Sequence, residues 1–378
     1  MNRWLEVFQR IDWTLLTAAI TLTAVGLVAI YGIGISQAPP DLFLFQKQFV
    51  TFFIGFLCAV GLAWFDYKHL RSYGLLLYIT GIILLIGVLF LGVVVNGTQG
   101  WYRIGALSFQ PVEIAKITLI VYLATYFTRT CRGRLTWKAF GTSFAATSGY
   151  AALVLLQPDF GSAMVLLLIW GLMAAFTGLP KYAWLLIPLV LVTTSVTVWT
   201  IGLRPYQQAR IESFLDPSLD PLGSGYNATQ ARIAIGSGGW FGKGIGEGSQ
   251  ARLRFLPAAA TDFIFAVVGE ELGFVGIVVI LGLFLILIYR FIRLGEESGD
   301  DFASLLLVGL GGIFLIHVFV NAGMNLGIMP ITGIPMPFLS AAASYLLVTF
   351  LALGIAQSVA ARRRSVGSLQ AETIIDAA

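Results

Sequence analysis

The stretch LPAAATDFIFAVVGEELG, residues 256–273, sets one aspartate and two adjacent glutamates at the mouth of a long apolar run. Ionisable groups beside hydrocarbon are expensive to keep, so those present are functional candidates by default. Asp262 has two readings that the residues leave open. It precedes a helix expected to begin at Phe263, where Thr261 or Asp262 is a favoured N-cap. It also stands at a sheltered boundary between water and apolar chain. Desolvation there raises a carboxyl pKa and suits a general base working near neutral pH, while the helix N-terminus favours the charged form. Glu270 and Glu271 follow two turns later and are expected to bond structurally to outer loops.

In FQPVEIAK, Glu113 and Lys116 stand three residues apart at the start of another apolar segment, which puts them on one helix face. They read either as an ion pair that satisfies its own desolvation or as part of a site. Asp159, in LLQPDFGSA, lies at a break made by Pro158 and Gly161 and reads either as the cap of the next helix or as a functional carboxylate. Basic residues gather nearby in sequence: Arg204, Arg210, Arg232, Lys243, Arg252 and Arg254, with Arg103 in another outer loop. Arg and Lys are natural phosphate partners. A base plus a phosphate clamp at one membrane face implies a lipid-phosphate substrate.

The elements that must position these residues are membrane helices. The chain has 378 residues, 58% hydrophobic and 11% charged, with mean hydropathy +0.87, which excludes an ordinary soluble domain. A spanning helix needs roughly 20 mostly apolar residues. Ten apolar runs qualify, at about 13–35, 48–65, 73–95, 114–127, 140–156, 161–176, 182–200, 272–289, 302–326 and 340–361. They are continuous rather than alternating, which argues against a barrel. The expected fold is an all-α integral membrane protein of ten transmembrane helices, one domain over 1–378, with a large extracytoplasmic loop at about 201–262 between helices 7 and 8. No signal peptide is expected, because the first run is long and lacks a small-residue cleavage site.

With the N-terminus inside, fourteen basic residues fall on the inner side and three, Lys47, Arg103 and Lys116, on the short outer side. That asymmetry puts both termini in the cytoplasm and the long loop outside. The net charge of +4 is therefore a topology signal and not a nucleic-acid footprint. Cys58 and Cys131 form no disulfide framework, and His69 and His317 have no zinc-site spacing. His317 is expected to be a structural hydrogen-bonder. The glycines at 242, 244, 246 and 248 lack the strand and helix of a dinucleotide fingerprint and read as a tight loop with positive φ, next to a short helix near 228–235. No cofactor is evident, and a divalent cation stays open.

The segments TDFIFAVVGEELGFVG, GSGYNATQARIAIGSGGWFGKG, FQPVEIAK, LLQPDFGSA and NLGIMPITGIPMPFLS, in order over most of the chain, resemble the SEDS family of peptidoglycan glycan-strand polymerases. RIDWTLL, ITGIPMPF and the compact length look like its RodA, or elongation, branch rather than FtsW. The resemblance implies ten helices with the large loop between the seventh and eighth. It implies lipid II as substrate, inverting transfer with release of undecaprenyl diphosphate, and a place in cell elongation and rod shape at the bacterial inner membrane. It also implies a class B penicillin-binding protein and the elongation machinery as partners. The family's catalytic aspartate falls on Asp262. Glu113, Lys116 and Asp159 match family positions at the substrate site, and Lys116 with loop arginines would lie near the diphosphate. Two departures stand out. Ala258 and Ala260 replace a usual Glu and His ahead of Thr261, and Ala341–Ala343 replace the usual Tyr-Gly-Gly. Val112 stands where serine is usual. Two other classes compete. A lipid-precursor flippase or transporter predicts ionisable residues at mid-membrane. A catalytically weak scaffold for a penicillin-binding protein is suggested by the alanine runs.

Overall fold

The computed structural model of the chain describes residues 10–37, 39–95, 97–105, 107–131, 133–183, 208, 212, 214, 216, 223–253 and 255–363. Three helices come first: α1 (Trp13–Ile35), α2 (Phe43–Trp64) and α3 (Lys68–Leu91). A three-stranded antiparallel sheet follows, of β1 (Val93–Val95), β2 (Thr98–Ile104) and β3 (Leu107–Phe109). Then come α4 (Pro111–Thr130), α5 (Trp137–Leu155), α6 (Phe160–Thr177), α7 (Ser224–Ser237), the short α8 (Ser249–Arg252), α9 (Ile264–Ser298), α10 (Asp301–Asn325) and α11 (Ala343–Ala361).

Eight helices among the described residues, α1, α2, α3, α4, α6, α9, α10 and α11, are long and apolar enough to cross a membrane. The fifth expected span forms α5, but polar residues lower its hydropathy. They are satisfied inside the protein: Ser143 and Thr147 are fully buried, and Trp170 Nε1 donates to Ser143 Oγ at 3.0 Å. Packing between membrane helices commonly uses such small polar residues. The expected seventh span, 182–200, lies almost wholly outside the described residues. The fourth run, which looked short at 114–127, is the full 20-residue α4, because Pro111 at its first turn adds a helix start that hydropathy does not register.

The starts of several helices follow sequence chemistry. Asp12 accepts from Leu15 N at 2.8 Å, Thr136 from Ala139 N at 3.2 Å and Asp300 from Phe302 N at 3.2 Å. Two expectations are corrected. The third span does not run to residue 95: α3 ends at Leu91 and Val93–Val95 is a strand paired with β2. Its valines are apolar but β-branched, and Gly97 turns the hairpin at φ +82°. Nor is α9 one straight helix from Phe263. It begins at Ile264 after Phe263, which makes no side-chain cap bond, and it breaks at Gly273, where φ is 68° and ψ is −165°.

That break is used. The glycine loop runs against it, with Lys243 N donating to Glu270 O and Gly244 N to Glu271 O, each at 3.0 Å, and Phe274 N to Gly239 O at 2.8 Å. Gly242, Gly244 and Gly246 all have positive φ, as a tight loop requires. A Cβ on Gly273 would stand 2.7 Å from Phe241 N. Gly273→Ala is therefore expected to cost roughly 1–3 kcal/mol from the backbone angle alone, and more from the clash. It should lower the thermal midpoint and expose 238–246 to protease. An unchanged midpoint with no new cleavage would contradict this account of the break.

The two ends of the bundle differ. At the basic end, Arg290 pairs with Asp12, the backbone of Asp12 and the amide of Gln357 bond reciprocally at 2.9 Å, and Arg363 meets Glu297 at 2.8 Å. Tyr67 donates to Asp300 at 3.2 Å; burial and the Asp300 charge push its phenol up, so it remains a donor. The candidate carboxylates gather at the opposite end.

Candidate active site

The site forms around the loop 332–341, which joins α10 to α11. Four elements meet there. The first is the turn before α9. Ala258 sits at φ +54°, and its carbonyl accepts from Thr261 N, Asp262 N and Phe263 N at 3.0, 3.1 and 3.3 Å. This tight turn delivers Asp262. It is tied to the loop by Ser340 Oγ donating to Thr261 O at 2.6 Å and Ala341 N donating to Ala260 O at 2.7 Å. The two alanine runs thus meet through their backbones. On the far side, a Cβ at Gly333, where φ is +72°, would stand 3.6 Å from Asp262 Oδ2, so the carboxylate lies beside the loop's glycine.

The second element is α10, which presents His317, Asn321 and Asn325 at four-residue spacing on one face, all fully buried. Asn321 Nδ2 donates to Asp262 O at 2.9 Å and to Ile334 O at 2.8 Å. Asn325 Nδ2 donates to Asp262 O at 3.2 Å, and its Oδ1 accepts from Ala266 N at 3.2 Å. His317 Nδ1 meets Pro335 O at 3.2 Å; since a carbonyl only accepts, Nδ1 carries the proton and Nε2 is the acceptor.

The third element is α4. Lys116 Nζ donates to Glu113 Oε1 and Oε2 at 2.9 and 3.0 Å and to His317 Nε2 at 3.2 Å. These contacts account for the three protons of the ammonium, so the i,i+3 pair is closed within the protein. Tyr345 of α11 stacks on His317 with ring centroids 4.5 Å apart, and its buried hydroxyl has no hydrogen-bond partner among the described residues.

The fourth element is the start of α6. Asp159 caps it, accepting from Ser162 N at 2.9 Å, and its other oxygen accepts from Gln110 Nε2 at 3.2 Å. A Cβ on Gly161 would come within 2.9 Å of Thr332 O, so this cap sits against the same loop.

Asp159 therefore is a cap, while Asp262 is not: the residue before α9 is Phe263, and the work of a cap falls to Asn325 across the fold. Glu270 and Glu271 hold the glycine loop. Fully buried Glu270 accepts from Lys243 Nζ at 2.7 Å, Ser249 Oγ at 3.0 Å and Gln250 N at 3.2 Å, and Glu271 accepts from Gly246 N at 2.9 Å. Lys243 is drawn to Glu270, and Arg103 stands exposed on β2. Arg210 lies outside the described residues. Asn321 and Asn325 escaped the sequence reading, although their spacing from His317 on an apolar helix was a signal. Among the described residues, no group of three or more His, Cys, Asp or Glu is placed to hold a metal ion.

The family model described as cell cycle protein, FtsW/RodA/SpoVE, matches residues 12–365. The peptidoglycan glycosyltransferase MrdB of Escherichia coli K12 is 35% identical over 356 residues, covering 94% of this chain and 94% of that protein. Relatives named FtsW also match. Among solved structures, a chain of a peptidoglycan synthase complex, in a study of how polymerization and crosslinking are coordinated, superposes with TM-score 0.78 at 32% identity, covering 93% of this chain and 97% of that one. The rod shape determining protein RodA of Thermus thermophilus superposes with TM-score 0.70 at 29% identity, covering 94% and 98%. The chain belongs to the FtsW/RodA/SpoVE family, the SEDS glycosyltransferases, and is a multi-pass membrane protein.

Proposed function

We propose that the chain is a peptidoglycan glycosyltransferase that polymerises lipid II at the outer face of the bacterial inner membrane. The acceptor sugar's hydroxyl attacks the donor's anomeric carbon, and undecaprenyl diphosphate leaves with the bonding electron pair and inversion. Asp262 takes the proton released by the hydroxyl. The observation that supports this most is the position of Asp262: a carboxylate delivered by a tight turn, beside Gly333, at the end of the bundle opposite the basic loops. Inverting transfer needs one base on the acceptor side and positive charge on the leaving side. Of the basic residues assigned to the diphosphate, Arg103 is exposed and Lys243 retains some exposure. Lys116 is spent on Glu113 and His317, so it supports the site's shape and field rather than touching phosphate. Polymer formation from labelled lipid II by the purified chain tests the reading. No polymer, with or without a cognate class B penicillin-binding protein, would overturn it.

The rod-shape relatives and the peptidoglycan synthase complex support a role in elongation beside such a penicillin-binding partner. The basic-residue asymmetry supports cytoplasmic termini. Cysteines introduced as Ser224→Cys and Ser365→Cys test this orientation: an impermeant reagent on intact cells should label the first and not the second, and the reverse pattern would exclude it.

The alanine runs are expected to lower turnover without unfolding the chain, since alanine adds no buried polar group and the backbone bonds that tie Ala258, Ala260 and Ala341 into the site remain. Ala258→Glu with Ala260→His, and Ala341→Tyr with Ala342→Gly and Ala343→Gly, should each raise polymerisation. Ala260 is buried, so its replacement must find room that Ala258, which is exposed, already has. Unchanged turnover in both variants would show that the positions are neutral.

A further inference from the structure

We propose that Asn325 and Asn321 are positioning residues that clasp the start of α9 from another helix and thereby set the Asp262 carboxylate in the site; this rests on the reading of Asp262 as the base. A helix start leaves its first N–H groups without intrahelical partners. In α9 the first four-residue bond runs from Val267 N to Phe263 O at 3.2 Å, and Ala266 N, one residue earlier, is met by Phe263 O at 3.0 Å and by Asn325 Oδ1 at 3.2 Å. The Asp262 carbonyl, just outside the helix, accepts from Asn325 Nδ2 at 3.2 Å and from Asn321 Nδ2 at 2.9 Å. One side-chain amide from another helix thus caps α9 with its oxygen and holds the Asp262 backbone with its nitrogen.

The arrangement is over-determined. Asn321 Nδ2 has two protons and two carbonyl acceptors, Asp262 O and Ile334 O, so the amide has one orientation. Asn325 Nδ2 also donates to the Asn321 backbone carbonyl at 2.8 Å and meets Asn321 Oδ1 at 3.3 Å, which ties the second amide to the first. Asn321, Asn325, Ala266 and Ile334 are buried, where a mispaired polar group is costly and holds the pairing to one geometry. Because Asn321 grips the 332–341 loop and the Asp262 backbone with the same nitrogen, it sets the carboxylate's place relative to Gly333. His317, one turn earlier, extends the same face to Pro335 O and Lys116. The α10 stripe therefore spaces the proposed base from the Glu113–Lys116 pair.

A base displaced by an ångström loses about 10²-fold in rate while binding persists. Asn325→Ala and Asn321→Ala in the full chain should each lower kcat on labelled lipid II by about 10²-fold, leave KM nearly unchanged and speed hydrogen exchange in the peptide 258–268. Asn325→Ser, which perturbs packing less, carries the test if the alanine variants fail to fold. Gln357→Ala is the control for lost stability: it removes an equally buried amide that clasps Asp12 at the opposite end. Its kcat should stay near wild type. Near-normal kcat in the asparagine variants, or an equal loss in Gln357→Ala, would overturn the proposal. Asp262→Asn measured alongside separates the two ideas. If it retains turnover while Asn325→Ala loses it, the base assignment falls and the clasp stands. If Asp262→Asn loses turnover while the asparagine variants retain it, the clasp falls and the base stands.

Discussion

Lys116→Met is expected to destabilise the protein by about 3–5 kcal/mol, because it strands Glu113 as an uncompensated buried carboxylate. Both partners are almost fully buried, at 2% and 3% side-chain exposure, so water cannot take over the lost contacts. The double variant Glu113→Leu with Lys116→Met removes both charges and should recover most of that loss, since a buried pair replaced by apolar residues of similar volume is often neutral. Thermal unfolding of the two variants measures this directly. Polymerisation should not recover with stability, because His317 loses the donor to Nε2 and the site loses the buried Lys116 cation that His317 links to the 332–341 loop. A double variant that regains both stability and full turnover would reduce the pair to packing.

Asp262→Asn is expected to abolish glycan synthesis while expression, thermal stability and lipid II binding stay close to wild type. A positioned general base is worth roughly 10²–10⁴-fold in rate. Asparagine keeps the side chain's size and hydrogen-bonding capacity but takes no proton. The contacts that hold residue 262 to α10 and to Ala258 are made by its backbone and survive the substitution. Glu270→Gln and Glu271→Gln should act differently. They weaken the grip on the glycine loop and lower stability before they touch chemistry, since Glu270 alone gathers Lys243, Ser249 and Gln250.

How much of this was legible in the sequence differs from residue to residue. Asp159 as a cap could be read from Pro158 and the apolar run after it, because capping is a local event. The Glu113–Lys116 pair was equally local. The break at Gly273 was not legible: GEELGFVG reads as continuing helix, and the kink appears only once the loop 238–246 returns to bond across it. Three valines at 93–95 were absorbed into a span because hydropathy does not distinguish a β-branched strand from a helix end. The asparagines of α10 were visible as spacing, but their meaning depends on Asp262 and Ala266, which lie about sixty residues away in sequence, on another helix. Asp262 itself looked balanced between cap and base. That Phe263 precedes α9 and that Asn325 bonds Ala266 N could not be read locally.

The most direct measurement of the account is the polymerisation rate of labelled lipid II by the wild-type chain, Asp262→Asn and Asp262→Ala, with bound lipid II and thermal unfolding recorded on the same preparations. The account predicts that both variants fold and bind, and that both fail to make polymer. Near-normal turnover in Asp262→Asn, with loss of fold in Asp262→Ala, would show that the aspartate holds the turn and takes no part in the reaction.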